Sequence, residues 1–304
     1  MSNELVSLFW RNFPFLDVAQ SDGSVASMLN RKDSKIIERR SDDGKLIGAS
    51  VVNGSTILML CVDHAYRNRG IGSSLLAESE KYVRDSGFHE INAGVGSCGY
   101  LMPGVPTSTR YFDSVNEKLD PRLDSSGSDF FTAHGYRHAS DGNIFDMRFE
   151  LSDFSGCEHS IGDTIDGLTY RWATDADRER VYACTDDALE EFTQWYQGDY
   201  MYDPDDPSVL IAVDSDRDNT VAGALIVSTD TDSGLGTVGC TSVRNAYRGR
   251  KIATNLVTLG TRHLRDAGMK NAFLSYTYTG LDKLYGSAGY LINVYYMMAR
   301  KTLD

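Results

Sequence analysis

The chain has 304 residues, 41% hydrophobic and 24% charged, which are values of globular proteins, and its length suits two domains of about 150 residues better than one. A formal charge of −13 argues against nucleic acid as a general partner and favours a cationic substrate, and no apolar run reaches the ~18 residues that cross a membrane. The five cysteines (Cys61, Cys98, Cys157, Cys184, Cys240) are scattered without ligand spacing, so we expect reduced thiols, a cytoplasmic location and no bound metal.

The opening stretch MSNELVSLFWRNFPFL carries Glu4 and lacks a long apolar core, so it does not read as a secretory leader. KIIERRSDDGKLIGASVVNGSTILMLCVD predicts three strands, over 36–40, 46–52 and 56–62, because Asp43-Gly44 and Asn53-Gly54 are strong hairpin signals. A basic, small-residue turn, YRNRGIG, follows at 66–72. The helix expected after it sets Ile71, Leu75, Tyr82 and Val83 near one face and stops at Gly87. HEINAGVG reads as a further strand. Residues 103–128 then form a long segment with three of the six prolines, and a loop of that length is more often functional or mobile than idle. FFTAHGYRHASDGNIFDMRFEL ends this half, with Phe131 four residues before Gly135-Tyr136.

Residues 152–167 are rich in Gly, Ser and Asp and mark a boundary, which gives domains over 1–155 and 165–304. The second half repeats the order of the first. SVLIAVDSDRDNTVAGALIVSTDTDSGLGTVGCTSV predicts three strands. Its DSDRDN opens like a calcium loop, but Asn219 and Leu225 stand where Gly and Glu are required, so it reads as a hairpin tip. The turn returns as YRGRKIA at 247–253. A helix with Ile252, Leu256, Leu259 and Leu264 on one side ends at Gly268, and KNAFLSYT is the next strand. KLYGSAGYLINVYYMMARKTL closes the half, with Tyr285 four residues before Gly289-Tyr290. Only YTG stands where the first half has its long segment. The acidic DPDDP at 203–207 reads as a solvated loop, and the six histidines show no ligand or triad spacing.

Strand, basic small-residue turn and amphipathic helix together make an anion site, because the first helical turn leaves N–H groups unpaired at the positive end of the macrodipole. Gly70 and Gly72 let those groups approach a pyrophosphate, and Arg67 and Arg69 can add charge. The turn is neither a Walker loop nor a GxGxxG.

Val62-x-x-x-Tyr66-Arg67-x-Arg69-Gly70-Ile71-Gly72 resembles the acetyl-CoA pyrophosphate loop of the GNAT (GCN5-related N-acetyltransferase) superfamily. The second copy fits with Lys251 in place of the first glycine. The resemblance covers nearly all of both halves, and the whole is similar to tandem GNAT proteins of the mycothiol-synthase kind in architecture. It implies two α/β (α+β) domains, each a mixed, mostly antiparallel sheet flanked by helices, splayed beside the strand that precedes the turn. It also implies acetyl-CoA as cofactor, held in the first half by Leu60, Cys61, Val62, Arg67, Asn68, Arg69, Gly70, Ile71, Gly72 and Ser73. In the second half the matching positions are Thr241, Ser242, Val243, Arg248, Gly249, Arg250, Lys251, Ile252, Ala253 and Thr254.

The family's direct transfer to an amine needs an oxyanion donor and an acid for the leaving thiolate. The motif apolar-Tyr-x-x-x-Gly-aromatic implies Tyr285 as that acid; Phe131 stands in its place in the first half and cannot donate. We therefore expect turnover in the second half. Glu190 is the candidate base, beside Glu191, in DDALEEFTQWYQ, which resembles the substrate-side helix of the family. The expected activity is acetyl transfer to a primary amine of a small molecule. The alternative is a module that binds acyl-CoA without turning it over, or a scaffold. Transfer from aminoacyl-tRNA is disfavoured by the negative charge. Tyr276 and Tyr278 read first as packed residues and second as substrate contacts.

Overall fold

The computed structural model describes residues 3–17, 19–94 and 102–304. The chain divides into two compact units. The first runs to Asp146 and takes back Ser275–Thr279 and Ile292–Asp304; the second comprises Met147–Leu274 and Gly280–Leu291.

In the first unit, helices α1 (Asn3–Asn12) and α2 (Asp22–Leu29) precede strands β1 (Lys35–Arg40), β2 (Leu46–Asn53) and β3 (Thr56–Val62). The two helices had no counterpart in the strand and turn signals. Leu5, Leu8 and Phe9 recur at helical spacing and bury α1 against Ala49, Val51, Met59 and Cys61 of the sheet. The hairpin turns fall where expected, with Gly44 at φ 83° and Gly54 at φ 57°, backbone that glycine adopts without a Cβ clash. Helix α3 (Ile71–Asp85) buries Leu75, Leu76, Ser79 and Val83 and ends before Gly87 at φ 87°. Strand β4 (Glu90–Ala93) runs parallel to β3, but only Thr56↔Asn92 and Ile57↔Ala93 pair. Strand β4 ends at Ala93, and Leu58–Val62 of β3 run on past that last pair. Strand β5 (Val105–Thr107), helix α4 (Ser126–Ala133), β6 (Arg137–His138) and β7 (Ile144–Glu150) follow.

In the second unit, β8 (Thr164–Ile165) and β9 (Leu168–Trp172) lead to helix α5 (Arg178–Ala188) and then to β10 (Val209–Asp214), β11 (Thr220–Asp230) and β12 (Leu235–Val243). The DSDRDN stretch is a hairpin tip: a five-residue loop joins the paired Asp214 and Thr220, Asp218 and Asn219 lie at φ 51° and 52°, and Thr220 N–H donates to the Arg217 carbonyl at 3.0 Å. Helix α6 (Ile252–Asp266) buries Ile252, Leu256, Leu259 and Leu264 and stops before Gly268. Strand β13 (Asn271–Tyr278) is parallel to β12, pairing at Leu235↔Asn271 and Gly236↔Ala272. The two then part for the rest of β12. Helix α7 (Leu281–Gly286) follows.

The chain then returns to the first unit through β14 (Leu291–Met297) and β15 (Ala299–Thr302). Tyr295↔Thr107 and Met297↔Val105 pair β14 with β5. Strand β15 lies between β4 and β6 and pairs with all four residues of β4, from Ala299↔Ala93 to Thr302↔Glu90. The end of the second sequence half thus completes the first unit's sheet. Reciprocally, the Met147–Glu150 end of β7 belongs to the second unit, where Arg148 donates to Asn271 of β13 at 2.9–3.0 Å. Among the described residues no helix is long and apolar enough to cross a membrane.

Candidate active site

Each unit presents the same turn at the head of its long helix. In the first, Asn68 and Gly70 take left-handed backbone, φ 59° and 78°; in the second, Gly249 and Lys251 do so, φ 82° and 59°. The repeat therefore conserves the backbone path and not the residue that bends it. Neither N-cap side chain bonds into its helix. The first intrahelical bonds are Ser74 N–H to Gly70 O and Asn255 N–H to Lys251 O, both 3.0 Å. That leaves the N–H groups of Ile71, Gly72 and Ser73, and of Ile252, Ala253 and Thr254, at the positive helix end. A Cβ added at Gly70 or Gly249 would meet nothing within 4 Å, so the space before both turns is open. Gly72 has a different role: a Cβ there would lie 3.3 Å from the Phe130 ring, and its small size seats α4.

Lys251 carries a Cβ in a conformation that costs a non-glycine residue roughly 1 kcal/mol. It is exposed. Lys251→Gly should stabilise the chain by about 1 kcal/mol in urea unfolding, and a midpoint that stays or falls would refute this account of the turn.

The turn arginines are engaged by protein groups. Arg67 Nε donates to the Val62 carbonyl at 3.0 Å, Nη2 to Asn12 Oδ1 at 3.0 Å, and Nη1 to the Asp124 carboxylate. Burial pushes the Asp124 carboxyl up, but Arg67 and Ser126 outweigh it and hold it at about 2. Arg248 Nη2 donates to Ala188 O at 3.3 Å, at the end of α5. Both arginines thus tie their turn to the end of an earlier helix. Arg69 and Arg250 lie over Tyr66 and Tyr247, with Arg69 donating to Ala65 O and Arg250 to Asp166 O.

In the first unit a cavity of about 270 Å³ opens beside Ile57–Val62 of β3 and Ala93 at the end of β4. Its walls include Leu60, Cys61, Val62, Arg67, Asn68, Gly70, Gly72 and Ser73, but not Arg69 or Ile71. Gly104, Val105, Pro106, Asp124, Ser126 and Gly127 form another wall, so the segment peculiar to the first half closes over the cavity. Phe131 lines it too, 4% exposed. Burial pushes the Cys61 thiol up to about 12, which leaves it unreactive.

In the second unit β12 carries an extra residue against β11 between Gly239 and Ser242, and Cys240 takes φ 50°. The bulge kinks β12 locally; pairing with β13 ends earlier, at Gly236. Tyr196 Oη donates to the Cys240 carbonyl at 2.6 Å, and Tyr285 Oη lies 3.2 Å from Thr241 Oγ1. Tyr285 is buried on α7, its ring edge-on to Tyr290. The expected acid therefore stands at the parted end of β12, beside Thr241 and two residues from Val243. Glu190 opens a 3-10 helix, Glu190–Tyr196, and not a continuation of α5; its side chain lies outside the described part of the structure. Glu191 is exposed.

Tyr276 and Tyr278 are 42% exposed each, not packed inside. Tyr276 takes φ 56°, and its N–H donates to buried Asp146 at 3.1 Å. Sequence reasoning missed Tyr196, Asp124 and Asn12. Their partners lie 44 to 57 residues away, and no local pattern marks them.

The family model for the acetyltransferase (GNAT) family matches residues 2–100 and 169–290. Compared with curated proteins, the chain has no match. Among solved structures it is similar to a GCN5-related N-acetyltransferase from Sphaerobacter thermophilus (19% identity, 98% of this chain and 91% of that one, TM-score 0.68). It is similar to a tandem GNAT protein from the clavulanic acid biosynthesis pathway, solved without AcCoA (16% identity, 99% and 95%, TM-score 0.63). It also resembles the GCN5-related glucosamine N-acetyltransferase region of a fungal multi-domain GH3 β-N-acetylglucosaminidase (19% identity, TM-score 0.70). It covers 98% of this chain but spans only 36% of that one. At these identities the likeness is one of fold.

Proposed function

The chain belongs to the acetyltransferase (GNAT) family, and on that premise we propose that it transfers an acetyl group from acetyl-CoA to a primary amine of a small molecule, with turnover in the second unit. The observation that carries this reading is the Tyr285 hydroxyl, 3.2 Å from Thr241 at the parted end of β12. Both turns suit the cofactor: left-handed backbone, helix N–H groups left over and open space in front are what a pyrophosphate requires. When bound, the cofactor supplies the acyl group as an activated thioester.

The chain's own residues do the rest. The Ile252, Ala253 and Thr254 N–H groups would hold phosphate oxygens, with Arg248, Gly249, Arg250 and Lys251 shaping the turn. The backbone of Thr241, Ser242 and Val243, beyond the part of β12 that pairs with β13, would face the acyl carbonyl. Tyr285 Oη would be the group that gives a proton to the leaving thiolate. Glu190 is our candidate for taking the proton from the amine, directly or through water. The net charge of −13 favours a cationic acceptor, and the scattered cysteines favour the cytoplasm.

A second reading applies to the first unit. Its cavity and its Phe131 suit holding acyl-CoA without turnover, through Ile71, Gly72 and Ser73 at the turn and through Leu60, Cys61 and Val62 along the strand. Gly70→Glu and Ala253→Glu should each weaken CoA binding at their own turn by about tenfold or more, through bulk and like charge. Calorimetry on the two variants and their combination tests this. Unchanged affinity and stoichiometry in the double variant would sink the cofactor assignment. A screen of amines for thiol release then identifies the acceptor.

A further inference from the structure

The two turns share a backbone path but not an electrostatic setting. In the first unit the segment 103–128, which the second half lacks, brings Asp124 to the turn. Its carboxylate accepts from Arg67 Nη1, while Oδ1 also accepts from Ser126 N–H at 3.0 Å. Asp124, Arg67, Asn68, Gly70 and Ser73 line the same cavity. The Asp124 and Arg67 side chains keep about a third and a quarter of their exposure, 34% and 26%. The pair thus sits at the edge of the cavity beside the helix end. In the second unit Arg248 meets a backbone carbonyl, Ala188 O.

We propose that Asp124 is an electrostatic gate on the first turn: paired with Arg67, it cancels the positive charge that the arginine would offer a docking pyrophosphate, so the first site takes acyl-CoA more weakly than the second. This rests on the reading that both turns face CoA phosphates. The geometry separates charge from scaffold. Arg67 also donates to Val62 and Asn12, and its Nη1 to Ser126 Oγ at 3.4 Å, so the guanidinium stays seated when the Asp124 charge is removed and its own charge is left unbalanced beside the cavity. Asparagine at 124 keeps an acceptor for Ser126 N–H and removes only the charge.

The test is calorimetry with CoA on the full chain carrying Ala253→Glu, which blocks the second turn, with and without Asp124→Asn. For a partly exposed charge the expected gain is about tenfold in affinity. Asp124→Ser, a second neutral variant, should give the same gain, as should inorganic pyrophosphate used as probe in place of CoA. Equal or weaker CoA binding in both neutral variants, with CoA still binding the wild-type chain, overturns the gate and leaves the transferase reading standing. Absence of CoA binding in every chain, wild type included, overturns both.

Discussion

Tyr285→Phe should lower kcat by ~10²–10⁴-fold, the usual worth of a positioned acid or base, and leave CoA affinity nearly unchanged. A departing thiolate has a pKa of about 8.5 and gains from a proton held at the right place. The substitution removes one oxygen. The ring keeps its edge-on contact with Tyr290, 6.0 Å between centroids, so α7 stays seated and the loss is chemical, not structural. Thr241→Val, which removes the hydroxyl 3.2 Å away, should cost less than Tyr285→Phe, because Thr241 orients the proton and does not deliver it. Phe131→Tyr in the first unit should leave the rate unchanged. Steady-state kinetics on the amine found by screening, with CoA affinity measured in parallel, decides the matter. Full activity in Tyr285→Phe together with loss in Gly70→Glu would move the chemistry to the first unit.

The parts of this fold that were legible in the sequence are local ones. Strands over 36–40, 46–52 and 56–62 come out as β1, β2 and β3 within a residue at either end, because Asp43-Gly44 and Asn53-Gly54 force the chain to turn between them. Helices α3 and α6 are legible through their apolar stripes and glycine stops. The pairing of these elements is another matter. The run LINVYYMMARKT at 291–302 is apolar enough to be buried, but nothing in it says which sheet it joins. The choice depends on contacts some two hundred residues away, such as Arg300 with Asn92. The site divides in the same way. The turn and Tyr285 carry short motifs, whereas Asp124 and Tyr196 act through the fold. Arg67 is the instructive case. Its basic character invited a phosphate, yet its donors are directed to Val62, Asn12 and Asp124. A motif reports which residue stands in a turn and is silent on where its hydrogen bonds go.

Deleting residues 299–304 should unfold the first unit's sheet edge while sparing the strands around the second turn. Strand β4 is held to β3 by only two register positions, Thr56↔Asn92 and Ile57↔Ala93, and to β15 by all four of its residues. The deletion therefore removes the larger part of β4's backbone partners, at about 1 kcal/mol net for each hydrogen bond. It also removes Leu303 and Ala299, 3% and 0% exposed, from the core that holds Leu76, Val83, Ile91 and Phe131. Burying a side chain the size of Leu303 contributes ~1.5–3 kcal/mol. Lys301, which donates to Glu80 at 2.9 Å, goes with them. The total is roughly 5 kcal/mol or more, comparable with the whole stability of a small domain. Because Ala93 of β4 lines the cavity, CoA binding at the Gly70 turn should be lost with it. Hydrogen exchange read residue by residue discriminates. Amides of β4 and α3 should lose protection while those of β10, β11 and β12 keep theirs. Were the units contiguous halves of the sequence, the same six-residue deletion would instead deprotect the second unit and leave β4 as slow to exchange as in the intact chain.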